Sequence, residues 1–178
     1  MGQRSVSWWI NALLPSVIWL GGAGLYASLK KPAGVSVLDV RPDALGWLAA
    51  GLLGAGFALH CWSVVVLAGR GLGPGHAAAL AVTGPYRFVR NPIYLAGITL
   101  FMGIGLLYGP WQADALIVPV VLFLYFHLAV VRVEEPALRR HFGASFDAYC
   151  RRVPRWLPRL APGMEAAQQG DAAGRGRR

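Results

Sequence analysis

The chain has 178 residues, 56% of them hydrophobic and only 14% charged, with 17 basic side chains against 8 acidic ones. A soluble domain usually holds roughly 45–50% apolar and about 25% charged residues, so that class is excluded. The net charge of +9 brackets apolar stretches and lines no soluble groove, which points to anionic lipid head groups and excludes nucleic acid as the partner.

Four stretches carry no Asp, Glu, Lys or Arg: residues 8–29, 44–69, 93–113 and 115–131. A helix needs about 17–25 apolar residues to cross hydrocarbon. The expected fold is therefore an all-α membrane protein with four transmembrane helices, at about 8–29, 44–69, 93–110 and 113–132, forming one domain over residues 1–158. The first stretch follows Arg4 but exceeds the roughly 7–15 apolar residues of a signal peptide and lacks an A-x-A site, so it reads as a retained helix. Trp8, Trp9, Trp47 and Trp111 fall near span ends, where aromatic anchors sit. The run Gly51-Leu52-Leu53-Gly54-Ala55-Gly56 suits close helix approach, and His60 suits a helix–helix hydrogen bond. Cys61 and Cys150 imply no disulfide framework and read as ordinary small residues.

With the N-terminus inside, every basic residue except Lys30, Lys31 and Arg41 lies on the inner side, as the positive-inside rule requires. Both termini and the loop 70–92 are thus expected in the cytoplasm, and the protein in a bacterial cytoplasmic membrane. After Val131 the fourth helix is expected to leave the bilayer. Leu138, Phe142, Phe146, Tyr149 and Val153 then recur every three or four positions, which predicts an amphipathic cytoplasmic C-terminal helix over 136–153. Two roles stand open for it: an interfacial helix on lipid, or a lid over a cytoplasmic pocket. Residues 159–178 are low-complexity and basic, and are expected to be disordered.

The third helix starts, and the fourth ends, on the same side, so residues 84–94 and 132–135 meet at one membrane face. Asn91-Pro92 reads as a helix start, with Asn as N-cap and Pro at the first helical position. Such a start presents unpaired N–H groups and a positive dipole end to a carboxylate or phosphate. Arg87, Arg90, Tyr86 and Tyr94 add donors, and Glu134 and Glu135 stand opposite. Each cluster also has a plain explanation: arginines obeying the positive-inside rule, and a solvated carboxylate pair before Pro136. Their joint occurrence at the two ends of one hairpin favours a site, suited to a ligand with an anionic end and a cationic centre.

The segment Gly84-Pro85-Tyr86-Arg87-Phe88-Val89-Arg90-Asn91-Pro92-Ile93-Tyr94 resembles the GxYRxxR(H/N)PxY signature of the isoprenylcysteine carboxyl methyltransferase and phospholipid methyltransferase families. Glu134-Glu135, Leu138, Phe142-Gly143, Tyr149 and Val153-Pro154 resemble their C-terminal EExxLxxxFGxxYxxYxxxVP signature. The resemblance covers roughly residues 76–158. It implies an integral membrane methyltransferase that uses S-adenosylmethionine and no metal. Cofactor contacts carry over to Ala78, Ala79, Leu80, Ala81, Tyr86, Arg90, Asn91, Pro92, Ile93, Tyr94 and Glu134. Three departures leave the acceptor open: Asn91 stands where the isoprenylcysteine enzymes have His, Phe146 where a Tyr is usual, and Ala96 where Gly often stands.

A sulfonium methyl is already activated, so the reaction needs alignment and exclusion of water, with no covalent enzyme intermediate. A carboxylate or thiolate acceptor needs no base. For an amine or hydroxyl the candidates are Glu135, His127 and Tyr94, although His127 reads equally as an interior residue with a hydrogen bond. The isoprenylcysteine enzymes characteristically carry an Arg four residues before the Glu that matches Glu134. Val130 stands there in this chain, and Arg132 lies on another helix face. The expected acceptor is accordingly a lipophilic small molecule other than a prenylcysteine carboxylate, which would lack its partner in a low-dielectric site. The alternatives are methylation of a small diffusible thiol or phenol, and a non-enzymatic four-helix scaffold. No oligomeric state is legible.

Overall fold

The computed structural model describes residues 20–29, 43–68, 80–108 and 114–159, and every regular element among them is helical. Helix α1 covers residues 20–29. It is followed by α2 (Ala44–Ala68), a 3₁₀ turn (Gly84–Arg87), α3 (Pro92–Tyr108), α4 (Asp114–Ala129), a π-helical turn (Val130–Glu134), α5 (Glu135–Phe142) and α6 (Ala144–Arg152). Trp8, Trp9, Trp111, Ala78, Ala79 and the tail beyond Arg159 lie outside the described residues.

Helix α2 begins where Asp43 caps it, its Oδ1 accepting the Gly46 N–H at 2.8 Å. It runs antiparallel to α3, and two glycines set how closely the helices approach. A Cβ on Gly56 would stand 2.9 Å from Leu100 Cγ and 3.0 Å from the Ala96 carbonyl oxygen, and one on Gly103 would stand 2.9 Å from Leu53 Cγ and 3.1 Å from the Ala49 carbonyl oxygen. Of the glycine run read in the sequence, Gly56 alone serves this contact, since Gly51 and Gly54 face open space. On the same buried face of α2, Ser63 Oγ donates to the Leu59 carbonyl at 2.6 Å. His60 is buried too, but its Nδ1 has no partner among the described residues, so that atom does not make the expected helix–helix bond.

Helix α3 is the centre of the bundle. Ala23 and Ala27 of α1 pack with its Phe101 and Ile104, and Tyr26 lies 5.5 Å from the Phe101 ring. From the other side Phe126 of α4 stacks on Tyr94 at 4.6 Å. The opposite face of α4 leaves Leu116, Val120, Leu124 and Leu128 exposed, an apolar surface suited to lipid.

Among the described residues two helical stretches are long and apolar enough to cross a membrane, Ala44–Leu67 with 24 residues and Leu116–Phe142 with 27. Helix α3 has 17 residues, about 26 Å at 1.5 Å per residue against a hydrocarbon core of about 30 Å. The first expected span is described only from residue 20 onward. Among the described residues the expected all-helical fold therefore stands, with two helices of membrane-spanning length.

The C-terminal part differs from the single amphipathic helix expected over 136–153. The helical rod begun at Asp114 continues to Phe142 and stops at Gly143, whose φ of +52° is a conformation that glycine tolerates and other residues resist. Pro136 does not break it, because it sits in the first turn of α5, directly after the widened π turn. The apolar residues of the stripe turn inward: Phe146, Tyr149 and Val153 are buried together, with Leu80, Leu138 and Phe142 against them. Of the two roles left open, a surface laid on lipid is not what this stripe provides.

Candidate functional site

The 84–92 segment is folded onto the end of α2. Gly84 has a φ of +58°, and a Cβ there would stand 2.6 Å from Val66 Cγ2, so both backbone and space require glycine. Pro85 and Tyr86 are buried in the 3₁₀ turn. Tyr149 of α6 donates its hydroxyl to the Tyr86 carbonyl at 2.7 Å. Burial pushes the Tyr86 phenol well above its ordinary pKa, reinforced by the nearby Tyr149, Tyr94 and Glu134. Arg87 is exposed and lies over the Phe88 ring at 4.5 Å, so it does not reach the site.

Asn91 stands at the start of α3, its carbonyl accepting the Leu95 N–H at 3.1 Å. Its side-chain amide goes elsewhere than the expected cap role suggests: Nδ2 donates to the Arg155 carbonyl at 3.2 Å. Pro92 is fully buried, and Ile93 packs into the α1–α3 core. One turn on, the Tyr94 hydroxyl donates to Glu134 Oε1, which joins the two sequence clusters.

The π turn aims the two neighbouring carboxylates apart. In it the Glu135 N–H reaches back five residues to the Val130 carbonyl, one residue further than in an α-helix, so the turn is wider. Val130, whose carbonyl accepts that bond, is buried to 1% exposure. Glu134 turns to Tyr94, while Glu135 is buried between two arginines. Arg155 Nε and Nη2 donate to its two oxygens at 2.6 and 2.8 Å, and Arg90 Nη1 lies 3.0 Å from Oε1. Arg90 Nη1 also contacts Cys150 Sγ at 2.6 Å, so Cys150 is part of this cluster and not the ordinary residue expected. Burial raises the Cys150 pKa and keeps it a thiol. Arg90 Nε is buried without a partner among the described residues, an orphaned donor beside the α3 start.

The three base candidates are all engaged. Both Glu135 oxygens are taken, Tyr94 donates its hydroxyl hydrogen bond to Glu134, and His127 Nδ1 accepts the Trp156 indole N–H at 3.0 Å. His127 thus sits beside Phe123 and Trp156. Leu80 packs on the Phe146–Tyr149–Val153 cluster, and Ala81 is half-buried next to it in sequence.

Arg155 and Trp156 were missed in the sequence. They belong to residues 153–159, a strap that crosses the site without regular structure. The Pro154 carbonyl accepts the Arg90 N–H at 2.9 Å, and the Arg159 N–H donates to the Phe88 carbonyl at 3.0 Å. Backbone bonds of this kind leave no compositional trace. The one available signal was a further Arg directly after Val153-Pro154, in register with a carboxylate pair that needs cations.

A sequence model of the phospholipid methyltransferase family matches residues 45–145, more than half of the chain, from α2 into α6. Among curated proteins the chain is similar to the nickel-cobalt-cadmium resistance protein NccN of Alcaligenes xylosoxydans xylosoxydans, 32% identical over 119 residues, or 64% of this chain and 51% of that protein. It is similar also to the cobalt-zinc-cadmium resistance protein CzcN of Cupriavidus metallidurans, 32% identical over 119 residues, or 64% of this chain and 50% of that protein. The chain spans about half the length of these relatives. No solved structure matches.

Proposed function

We propose that this chain, which belongs to the phospholipid methyltransferase family, is a membrane methyltransferase that moves a methyl group from S-adenosylmethionine to a lipophilic acceptor at the cytoplasmic membrane face. The observation that carries the reading is the Tyr94–Glu134 bond, which closes the two family signatures onto each other. The residues fit the cofactor's chemistry. The α3 start and the orphaned Arg90 Nε suit its carboxylate, and Glu134 suits its ribose hydroxyls or amino group. When bound, S-adenosylmethionine supplies an activated sulfonium methyl for in-line displacement.

The chain's own residues then have to hold and shield. Buried Tyr86, Pro92 and the Phe146–Tyr149–Val153 cluster keep water from the cytoplasmic side. With Glu135, His127 and Tyr94 engaged, the acceptor best served is one that arrives ready to react, such as a thiolate or phenolate. Val130 is buried and offers a carboxylate no partner, which argues against a prenylcysteine carboxylate. A lipophilic acceptor would reach the site from the bilayer, which the exposed apolar face of α4 suits as a boundary. The names of the two relatives add a second reading, in which methyl transfer serves metal resistance. Among the described residues no group of three or more His, Cys, Asp or Glu is placed to hold an ion, so in that reading the acceptor carries the effect.

The test is calorimetry with the purified protein in detergent. S-adenosylmethionine should bind, and Glu134→Gln should weaken it roughly ten- to hundred-fold, the worth of one charge-assisted hydrogen bond. No binding by the unmutated protein would overturn the proposal. Incubation with labelled S-adenosylmethionine and a membrane extract then identifies the acceptor, and efficient labelling of a prenylcysteine would refute the acceptor class. The sidedness is read by cysteine labelling: an outside reagent should reach a probe at Gly34 and not one at Gly75 or Gly163, and the reverse pattern would put the site in the wrong compartment.

A further inference from the structure

Arg155 is joined to both halves of the site by different parts of itself. Its guanidinium fork takes both oxygens of Glu135, at 2.6 and 2.8 Å, and its carbonyl accepts the Asn91 amide at 3.2 Å. The first contact fixes the π turn and the second fixes the start of α3. These are the two surfaces that Tyr94 and Glu134 bridge. The side chains involved are largely withdrawn from water, with 10% exposure for Glu135, 12% for Arg90 and 31% for Arg155. In such surroundings a bidentate pair sets the plane of the carboxylate as well as its charge, which a lysine cannot do. Removing the fork leaves Glu135 with Arg90 alone, and a buried carboxylate short of a partner moves toward water. Glu134 is the next residue in the same turn, so it moves too.

We propose that Arg155 is a positioning residue for the ligand site: acting through Glu135, it holds Glu134 in the place where it meets Tyr94, without itself touching the ligand. This rests on the reading that the site binds S-adenosylmethionine. Arg155 lies outside the residues matched by the family model, and the contacts that give it this role are those of this chain's own strap.

The test measures calorimetric binding of S-adenosylmethionine and S-adenosylhomocysteine to the full chain in detergent. The unmutated protein is compared with Arg155→Gln, Arg155→Lys, Glu135→Gln and the double variant Glu135→Gln/Arg155→Gln. Ligand-free unfolding temperatures are recorded for each. Arg155→Gln should weaken binding about tenfold or more, the size expected for a lost charge-assisted contact. Arg155→Lys should fall between, since it restores the charge and not the fork. In the Glu135→Gln background the further loss of Arg155 should change affinity less than about threefold, because neighbours that act as one unit are not additive. A purely structural role would show in the unfolding temperatures and would not be rescued in this graded way. Should Arg155→Gln fail to fold, Arg155→Lys carries the comparison. Folded variants that bind as the unmutated protein does, or effects that multiply in the double variant, would overturn the inference. An unmutated protein that binds neither ligand overturns the functional proposal first, and this inference falls with it.

Discussion

Tyr94 and Glu134 are forty positions apart in the chain and share a hydrogen bond, donated by the phenol to Oε1 of the carboxylate. The bond runs from the first turn of α3 to the last residue of the π turn, beside the Arg90–Glu135 pair that joins the same two segments. It depends on the antiparallel placement of α3 and α4, which the Tyr94–Phe126 stack supports at 4.6 Å.

Tyr94→Phe separates these two contacts. The ring still stacks on Phe126, while Glu134 loses its donor. Cofactor affinity is expected to fall roughly ten-fold or more, in line with about 1.5–3 kcal/mol for a hydrogen bond to a charged group. The unfolding temperature should change by only a few degrees. Calorimetry and thermal unfolding on one preparation decide it, and unchanged affinity would show that the bond is incidental.

The α2–α3 approach predicts a contrast among glycines of one run. Gly56→Ala places a methyl 2.9 Å from Leu100 Cγ and 3.0 Å from backbone, whereas Gly54→Ala meets nothing within 4 Å. The first should destabilise the protein by about 1–3 kcal/mol, as overpacking does, and the second should be close to neutral. Gly103→Ala should behave like Gly56→Ala. Unfolding titrations in mixed micelles test the order, and equal effects at Gly54 and Gly56 would contradict the packing described.

Alkaline pH should act through Tyr86 and Tyr149. Burial raises both phenols above the ordinary tyrosine value, which is about 10. A raised folded pKa contributes stability that is complete below the unfolded value and is lost as pH climbs toward the folded one. Stability should therefore be unaffected by these groups up to about pH 10 and decline above it. An ultraviolet titration should show Tyr86 and Tyr149 among the tyrosines that ionise only together with unfolding. Tyr149→Phe removes one of them and strips the buried Tyr86 carbonyl of its donor, a loss of about 1–3 kcal/mol at neutral pH. Early ionisation of every tyrosine would contradict this burial.

Much of the site could be read before any coordinates, because its two clusters are contiguous in sequence. Gly84 through Tyr94 and the Glu134-Glu135 pair each announce themselves locally, by glycine, proline and charge, and their meeting follows from counting apolar stretches. What escaped depends on geometry that composition does not encode. The π turn falls in a run of Val and Arg that reads as plain α-helix, so the widened backbone between Val130 and Glu135 had no signal in composition. Gly143 sits inside a perfect three-to-four spacing of apolar residues, and the spacing hid the break. The strap from Val153 to Arg159 works largely through backbone carbonyls and N–H groups, which every residue has.

The π turn also separates two demands that a straight helix would force on one another. The residues of α4 before Val130 present Leu116, Val120, Leu124 and Leu128 outward, while those after it aim carboxylates at Tyr94, Arg90 and Arg155. In an unbroken α-helix both directions follow one 100° step, so a residue gained or lost in the apolar half would swing the acidic half to the wrong side. A turn with a spare residue offsets the two halves, so the outward direction of the apolar rows does not dictate where the carboxylates point.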